Sequence, residues 1–167
     1  MDVTIRPHPM TIRHHGKNLA KLKDAYRHKE NFKIQVNIEN RDMLFNSDLL
    51  ITDWSGIGIE YGIGLKKPVI YIDTPKKINN PDADKIKLIP IETEIRSEIG
   101  KIVKIDDLHN INNFIFELLQ TYDKSKILEI QEKYLFTKTN SLNKSAKRIL
   151  SIANANQSRN YKNKAPF

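Results

Sequence analysis

The chain has 167 residues, no cysteine and a formal net charge of +8. That length predicts one domain with a proper core, and the lack of cysteine excludes disulfides, thiol nucleophiles and cysteine-based metal sites. No apolar run approaches the ~20 residues of a membrane span, and no basic-then-apolar signal pattern opens the chain, so the cytoplasm is the simplest compartment. The charge implies attraction to a polyanion: nucleotide phosphates, a phosphate polymer, an anionic membrane face or nucleic acid. The abundance of Asn, Ile and Lys reads equally as the bias of an AT-rich genome.

In chain order, Val3-Thr-Ile5 predicts a strand end and Arg6-Pro-His-Pro9 the loop after it. Asn18 to His28 has Leu19, Leu22, Ala25 and Tyr26 near helical spacing, which predicts a helix. Phe32 to Val36 alternates as a strand does, and Asn40 caps a short helix to Phe45. Leu49 to Thr52 is a buried strand, Asp53 to Gly56 a tight turn, Ile57 to Leu65 a helix, and Val69 to Ile72 a second buried strand. The Lys66-Lys67-Pro68 turn suits a helix end. A long polar loop, Thr74 to Lys87, follows. Ile86 to Pro90 and Lys101 to Lys104 are candidate short strands. Helices are predicted over Leu108 to Thr121, Lys124 to Tyr134 and Ser141 to Ala153. Residues 1–153 then form one domain, and 154–167 a loose, basic tail. No internal repeat is visible.

Strands alternating with helices predict an α/β, Rossmann-like parallel sheet. In such sheets ligands sit at the carboxyl edge of the strands. The Arg6-Pro-His-Pro9 loop and the Asp53–Gly56 turn both follow strands, so a shared edge is expected. A strand that ends at Thr-Asp-x-Ser-Gly and turns into a helix presents free N–H groups and a positive dipole end, which favour phosphate. Ser55 adds a hydroxyl, and Gly56 allows close approach. Glu60, one helical turn on, is placed for a ribose hydroxyl. An ordinary βαβ crossover with an N-cap reads the same way.

Three blocks carry a family resemblance: Arg6-Pro-His-Pro9, then Ser47 to Asp73 with Ile-Thr-Asp-Trp-Ser-Gly and Lys67-Pro-Val-Ile-Tyr, then Ile99-Gly-Lys-Ile-Val-Lys104 with Asp106 and Asp107. A weaker echo is Asn143-Lys-Ser-Ala-Lys-Arg-Ile149. Over residues 2 to 152 the chain resembles the CDP-glycerol glycerophosphotransferases, which build teichoic-acid-like and related surface polymers. The resemblance implies the donor-side half of a GT-B fold, two Rossmann-like domains with the active site between them. Its departures are the acceptor-side domain and the first strand and helix of the donor-side domain. They imply a chain truncated at its N-terminus, which works with a missing N-terminal domain or a second copy and catalyses little alone.

By resemblance His8, stiffened between two prolines, is the catalytic residue at the donor pyrophosphate, neutralising charge or donating a hydrogen bond; a histidine titrates near ~6.5, so both protonation states are within reach. Donor-binding roles fall to Arg6, Thr52, Ser55, Gly56, Glu60, Lys76 and Lys77. Each has a structural alternative: Arg6 braces its loop, Thr52 ends a strand, Glu60 is a solvated carboxylate, and Lys76 and Lys77 are solvated loop cations. Trp54 either covers a base or forms a wall of the core. Arg96 and Lys101 are weaker phosphate candidates. Trp54-Ser55-Gly56 replaces the family's Tyr-Ser-Ser, a departure that bears on donor identity more than on phosphate binding.

No metal site is assigned and no cofactor is implied, since side chains and the helix start supply the positive potential. The partners implied are CDP-glycerol or a sugar nucleotide, a polyanionic polymer acceptor and, peripherally, the inner face of an anionic bacterial membrane. Rival readings are a sugar-nucleotide GT-B glycosyltransferase domain and a non-catalytic basic module for nucleic acid or membrane. Nucleic acid is disfavoured, because no RNP-like aromatic pattern, helix-turn-helix or zinc motif is present. The lack of Gly-x-Gly-x-x-Gly and of a P-loop argues against dinucleotides and P-loop chemistry.

Overall fold

A computed structural model describes residues 1–37, 39, 41–76, 80–134 and 141–162. The order is β1 (Val3–Ile5), α1 (Pro9–Ala25), β2 (Phe32–Ile34), α2 (Asp42–Asn46), β3 (Leu50–Thr52), α3 (Ile57–Ile59), β4 (Val69–Asp73), α4 (Ile91–Ile99), β5 (Gly100–Lys104), α5 (Ile111–Thr121), α6 (Lys124–Tyr134) and α7 (Ser141–Lys162). The architecture is mixed α/β with parallel sheets flanked by helices, consistent with the Rossmann-like expectation. The pairing divides it: β1 pairs with β2, and β3-β4-β5 form a separate sheet.

The second sheet carries the core. Val69, Ile70 and Tyr71 of the central strand β4 are 0%, 0% and 1% exposed, as expected of a parallel strand covered on both faces. The two-residue period splits them. Val69 and Tyr71 join Leu44, Tyr61, Ile63, Ile95, Ile99 and Ile127 on one side. Ile70 joins Val103 and Ile115 on the other. Thus α4, α6 and the turns after α3 cover one face, and α5 covers the other. Polar contacts also hold α6: Gln131 Nε2 donates to Ile63 O at 2.6 Å, Lys133 pairs with Glu98 of α4 at 2.9 Å, and Tyr134 Oη donates to Glu98 at 2.7 Å.

The start of the motif strand is also tied down. Lys67 Nζ donates to Phe45 O and Ser47 O at 2.5 and 2.6 Å, and Tyr61 Oη donates to Ser47 O at 2.9 Å. The lysine of the Lys-Pro pair therefore braces the α2–β3 connection. Gly58 is a packing requirement, because a Cβ there would lie 2.5 Å from the Tyr71 ring. After α3 the chain continues as a π-helical turn, Glu60–Gly64, and leaves it through Lys66 at φ 54°. A side chain is strained in that region, whereas glycine is not. Lys66→Gly is expected to raise stability by up to about 1 kcal/mol, read as a higher urea midpoint at unchanged slope.

Several sequence expectations are corrected. The first helix starts at Pro9, not Asn18: proline is favoured at the first helical position, where its missing N–H costs nothing. The helix kinks at His15, which has φ −125° and ψ 29°, one residue before Gly16. The second helix spans Asp42–Asn46 and is preceded by Arg41 without a side-chain cap; Asn40 lies outside the described residues. No strand forms at Ile86 to Pro90. Those residues are exposed and lead into α4, a helix absent from the sequence reading. The helix after β5 starts at Ile111, following a 3-10 stretch Ile105–Asn110. The last helix continues to Lys162, across most of the expected tail; no proline or glycine interrupts it before Pro166.

Candidate functional site

The Arg6–Pro9 segment is not a free loop but the start of α1. His8 is the N-cap residue, exposed and extended at φ −61° and ψ 144°. Its Nδ1 accepts a hydrogen bond from Met10 N–H at 3.2 Å. An accepting Nδ1 carries no proton, so the neutral ring holds its proton on Nε2 and presents a donor outward. Pro7 is buried, and Arg6 is half-buried. This segment lies at the carboxyl end of β1, whereas Ser55 follows β3. Strand pairing places them on different sheets, so the expected shared edge is not made by one continuous sheet.

At the exits of β3 and β4 the structure does gather residues. Thr52 pairs in register with Tyr71. In the turn that follows, the first helical N–H bonds run from Gly58 to Ser55 O at 3.0 Å and from Ile59 and Glu60 to Gly56 O at 3.0 and 3.2 Å. The N–H groups of Ser55, Gly56 and Ile57 precede that ladder, as expected at a helix start. Ser55 is half-buried; Gly56 and Glu60 are exposed. Trp54 is half-buried, and its Nε1 donates to Thr74 O at 2.7 Å, fastening the turn to the β4 exit.

Arg96, only a weaker phosphate candidate in the sequence, is the central feature of this site, and its burial was not expected. It lies on α4 beside Ile95 and is 3% exposed, the only buried charged residue among those described. Its guanidinium carbon sits 3.7 Å from the Trp54 ring centroid and 5.1 Å from that of Tyr71. Stacking of this kind contributes about 2 kcal/mol when desolvated. Nη1 donates to Asp73 Oδ1 at 3.3 Å, while Nε and Nη2 are buried without a hydrogen-bond partner. Lys76 Nζ stands 5.5 Å from the Trp54 centroid and donates to Thr93 Oγ1 at 3.1 Å.

Trp54 is thus a wall residue stacked on an arginine. Arg96 is part of that wall, and Lys76 stands at its rim. Lys77 lies outside the described residues. Lys101 belongs elsewhere: it pairs with Glu117 of α5 and lies 4.6 Å from the Phe114 ring. The helix that carries Arg96 has a short periodic signal, Ile91, Ile95 and Ile99 at four-residue spacing, with Glu92 and Glu94 in the first turn. Among the described residues no three His, Asp or Glu side chains are grouped to hold a metal ion, and no helix is long and apolar enough to cross a membrane.

Residues 1–77 match the family described as CDP-Glycerol:Poly(glycerophosphate) glycerophosphotransferase. The matched stretch contains the Arg6–Pro9 block and the whole Ser47–Asp73 block; the blocks at Ile99–Asp107 and Asn143–Ile149 lie beyond it. No curated protein and no solved structure matches the chain.

Proposed function

We propose that the chain is a donor-binding unit of a CDP-glycerol-type glycerophosphotransferase. An acceptor hydroxyl attacks the β-phosphate, which carries the glycerol. The new oxygen–phosphorus bond forms as the pyrophosphate bridge breaks, CMP leaves, and the proton of the hydroxyl passes to solvent. The observation that carries this reading is the family match over residues 1–77, which covers both motif segments at strand exits.

The outward Nε2–H of His8 suits donation to the departing CMP phosphate rather than removal of the acceptor proton, because Nδ1 is already engaged by Met10 N–H. Ser55, Gly56 and the N–H groups at the helix start hold the pyrophosphate. Thr52 shapes the turn and Glu60 faces the ribose. Arg6, Lys76 and Lys77 supply cationic charge. These parts act by positioning and by charge stabilisation. The acceptor is a hydroxyl-bearing, anionic surface polymer, and the second domain of a GT-B pair or a second copy of this chain supplies its side of the cleft. Peripheral docking on the inner face of an anionic membrane is supported by α7, which has no acidic residue, carries Lys144, Lys147 and Arg148, and exposes Ile149, Leu150 and Ile152. Such a helix is suited to an interface.

Calorimetric titration with CDP-glycerol, with UDP-sugars as competitors, tests the reading. CDP-glycerol is expected to bind, and Ser55→Asp to weaken it by more than ~10-fold by setting a carboxylate against the phosphate. Preference for a UDP-sugar would transfer the domain to the glycosyltransferases. No binding of any nucleotide would leave the basic-module reading.

A further inference from the structure

The proposed roles leave Arg96 without a function, yet it is the most unusual side chain in the fold. A guanidinium presents two parallel N–H donors along its Nε/Nη2 edge, spaced to meet two oxygens of one carboxylate or phosphate. In Arg96 that edge is the unpartnered one. Asp73 meets only Nη1, at 3.3 Å, and its own side chain is 43% exposed. Leaving charged donors buried and unmatched is costly, and an apolar residue would fill the space between Trp54 and Tyr71 without that cost. The guanidinium nevertheless lies at the exits of β3 and β4, beside the Ser55 turn.

We propose that the Nε/Nη2 edge of Arg96 is a latent anion subsite, buried beside Trp54 in the free protein and taken by a phosphate group of the bound ligand. The assignment of that phosphate to the donor nucleotide rests on the function proposed above; the subsite itself does not. The Trp54 indole stacks on the guanidinium and is held at its own edge by Thr74 O. A phosphate reaches the fork when the buried edge opens, and the indole stacked on the guanidinium face reports the change. Lys76, 5.5 Å from the same ring, adds a second positive charge, and Asp73 opposes the anion. Arg96 and Lys76 together outweigh the single charge of Asp73.

Trp54 is the sole tryptophan of the chain, so its emission reports the event directly. The experiment titrates the full chain with inorganic pyrophosphate and with CDP-glycerol, following Trp54 emission and its quenching by acrylamide. Both ligands are expected to change the emission and raise the quenching. Arg96→Lys, which keeps the charge and loses the fork, is expected to weaken pyrophosphate by at least ~10-fold. Asp73→Asn is expected to tighten pyrophosphate, and that gain is expected to vanish when Arg96→Lys is added.

Pyrophosphate binding that is the same in Arg96→Lys as in the wild type, with the same emission change, overturns the subsite. So does an unaltered chain that binds neither ligand. If CDP-glycerol binds no better than pyrophosphate and Arg96→Lys weakens both, the subsite stands and the donor assignment fails. If CDP-glycerol binding is lost in Ser55→Asp but unchanged in Arg96→Lys, the proposed function stands and the subsite fails. Should Arg96→Lys fold poorly by circular dichroism, the Asp73→Asn variant decides: no tightening overturns the proposal.

Discussion

Ile95→Ala is expected to cost about 2–5 kcal/mol of unfolding free energy, whereas Ile91→Ala, one turn earlier on the same helix, costs less than about 0.5 kcal/mol. Ile95 is 0% exposed and Ile91 42%. Ile95 packs in the cluster of Val69, Tyr71 and Ile99, so truncation leaves a cavity between α4 and the sheet. Urea unfolding of the two variants, compared at equal slope, makes the measurement. Near-equal losses would mean that α4 does not dock on β4 by this face. Because Arg96 is the next residue, the same result would remove the support of the wall under Trp54. The paired variants thus test the fold and the site together.

That helix marks the limit of what the sequence disclosed. The β3-turn-β4 unit was legible because the short apolar runs Leu49–Thr52 and Val69–Ile72 are bounded by turn residues; the buried strand expected at Leu49–Thr52 is corrected, because β3 lies at the sheet edge and leaves Ile51 44% exposed. The residues of the turn were legible because phosphate chemistry restricts them. The α4 helix was hidden by its context. It follows a polar loop and the exposed Ile86, Leu88 and Ile89, whose β-branched content reads as a strand. Its four-residue isoleucine spacing covers only nine residues, near the shortest length at which periodicity separates helix from strand. The start of α1 was missed for a different reason. Pro9 was weighed as a stiffener of a loop, although proline is equally at home at the first turn of a helix.

Arg96 was legible only as a weaker phosphate candidate, because its buried setting depends on three segments far apart in the chain. Trp54 follows β3, Asp73 ends β4, and Arg96 sits in α4. Composition marks none of them as a unit. The division into two sheets was equally invisible: each of β1, β2 and β3 has only three residues, and alternation over three positions does not specify a neighbour. The π-helical turn at Glu60–Gly64 likewise carries no periodic signal, and only the burial of Tyr61, Gly62 and Ile63 together shows how the chain was turned inward.

The second large effect is expected in alkali, and Tyr71 is its source. Tyr71 is 1% exposed, and its hydroxyl is buried without a partner. Burial pushes its pKa up to about 12, against a smaller opposing pull from the Arg96 charge. The folded pKa therefore lies above the unfolded value of about 10. The fold favours the neutral phenol, so the stability linked to this group is intact below about pH 10 and is lost as pH rises from there through about 12, a total of roughly 2–3 kcal/mol. Tyr122 is raised to about 12 and Tyr61 is also raised, both mainly by burial, so their ionisation is expected to add to the loss of stability in alkali. Tyr71→Phe isolates one share of it. Removing an unmatched buried hydroxyl is expected to leave the neutral-pH stability unchanged or higher by about 1 kcal/mol. The advantage of the variant over the wild type is then expected to widen between about pH 10 and 12. Urea unfolding of both proteins across that range measures the gap. Parallel loss of stability would mean that the phenol reaches water or a partner when it ionises, and Tyr71 would not be the sealed floor beneath the Arg96 guanidinium.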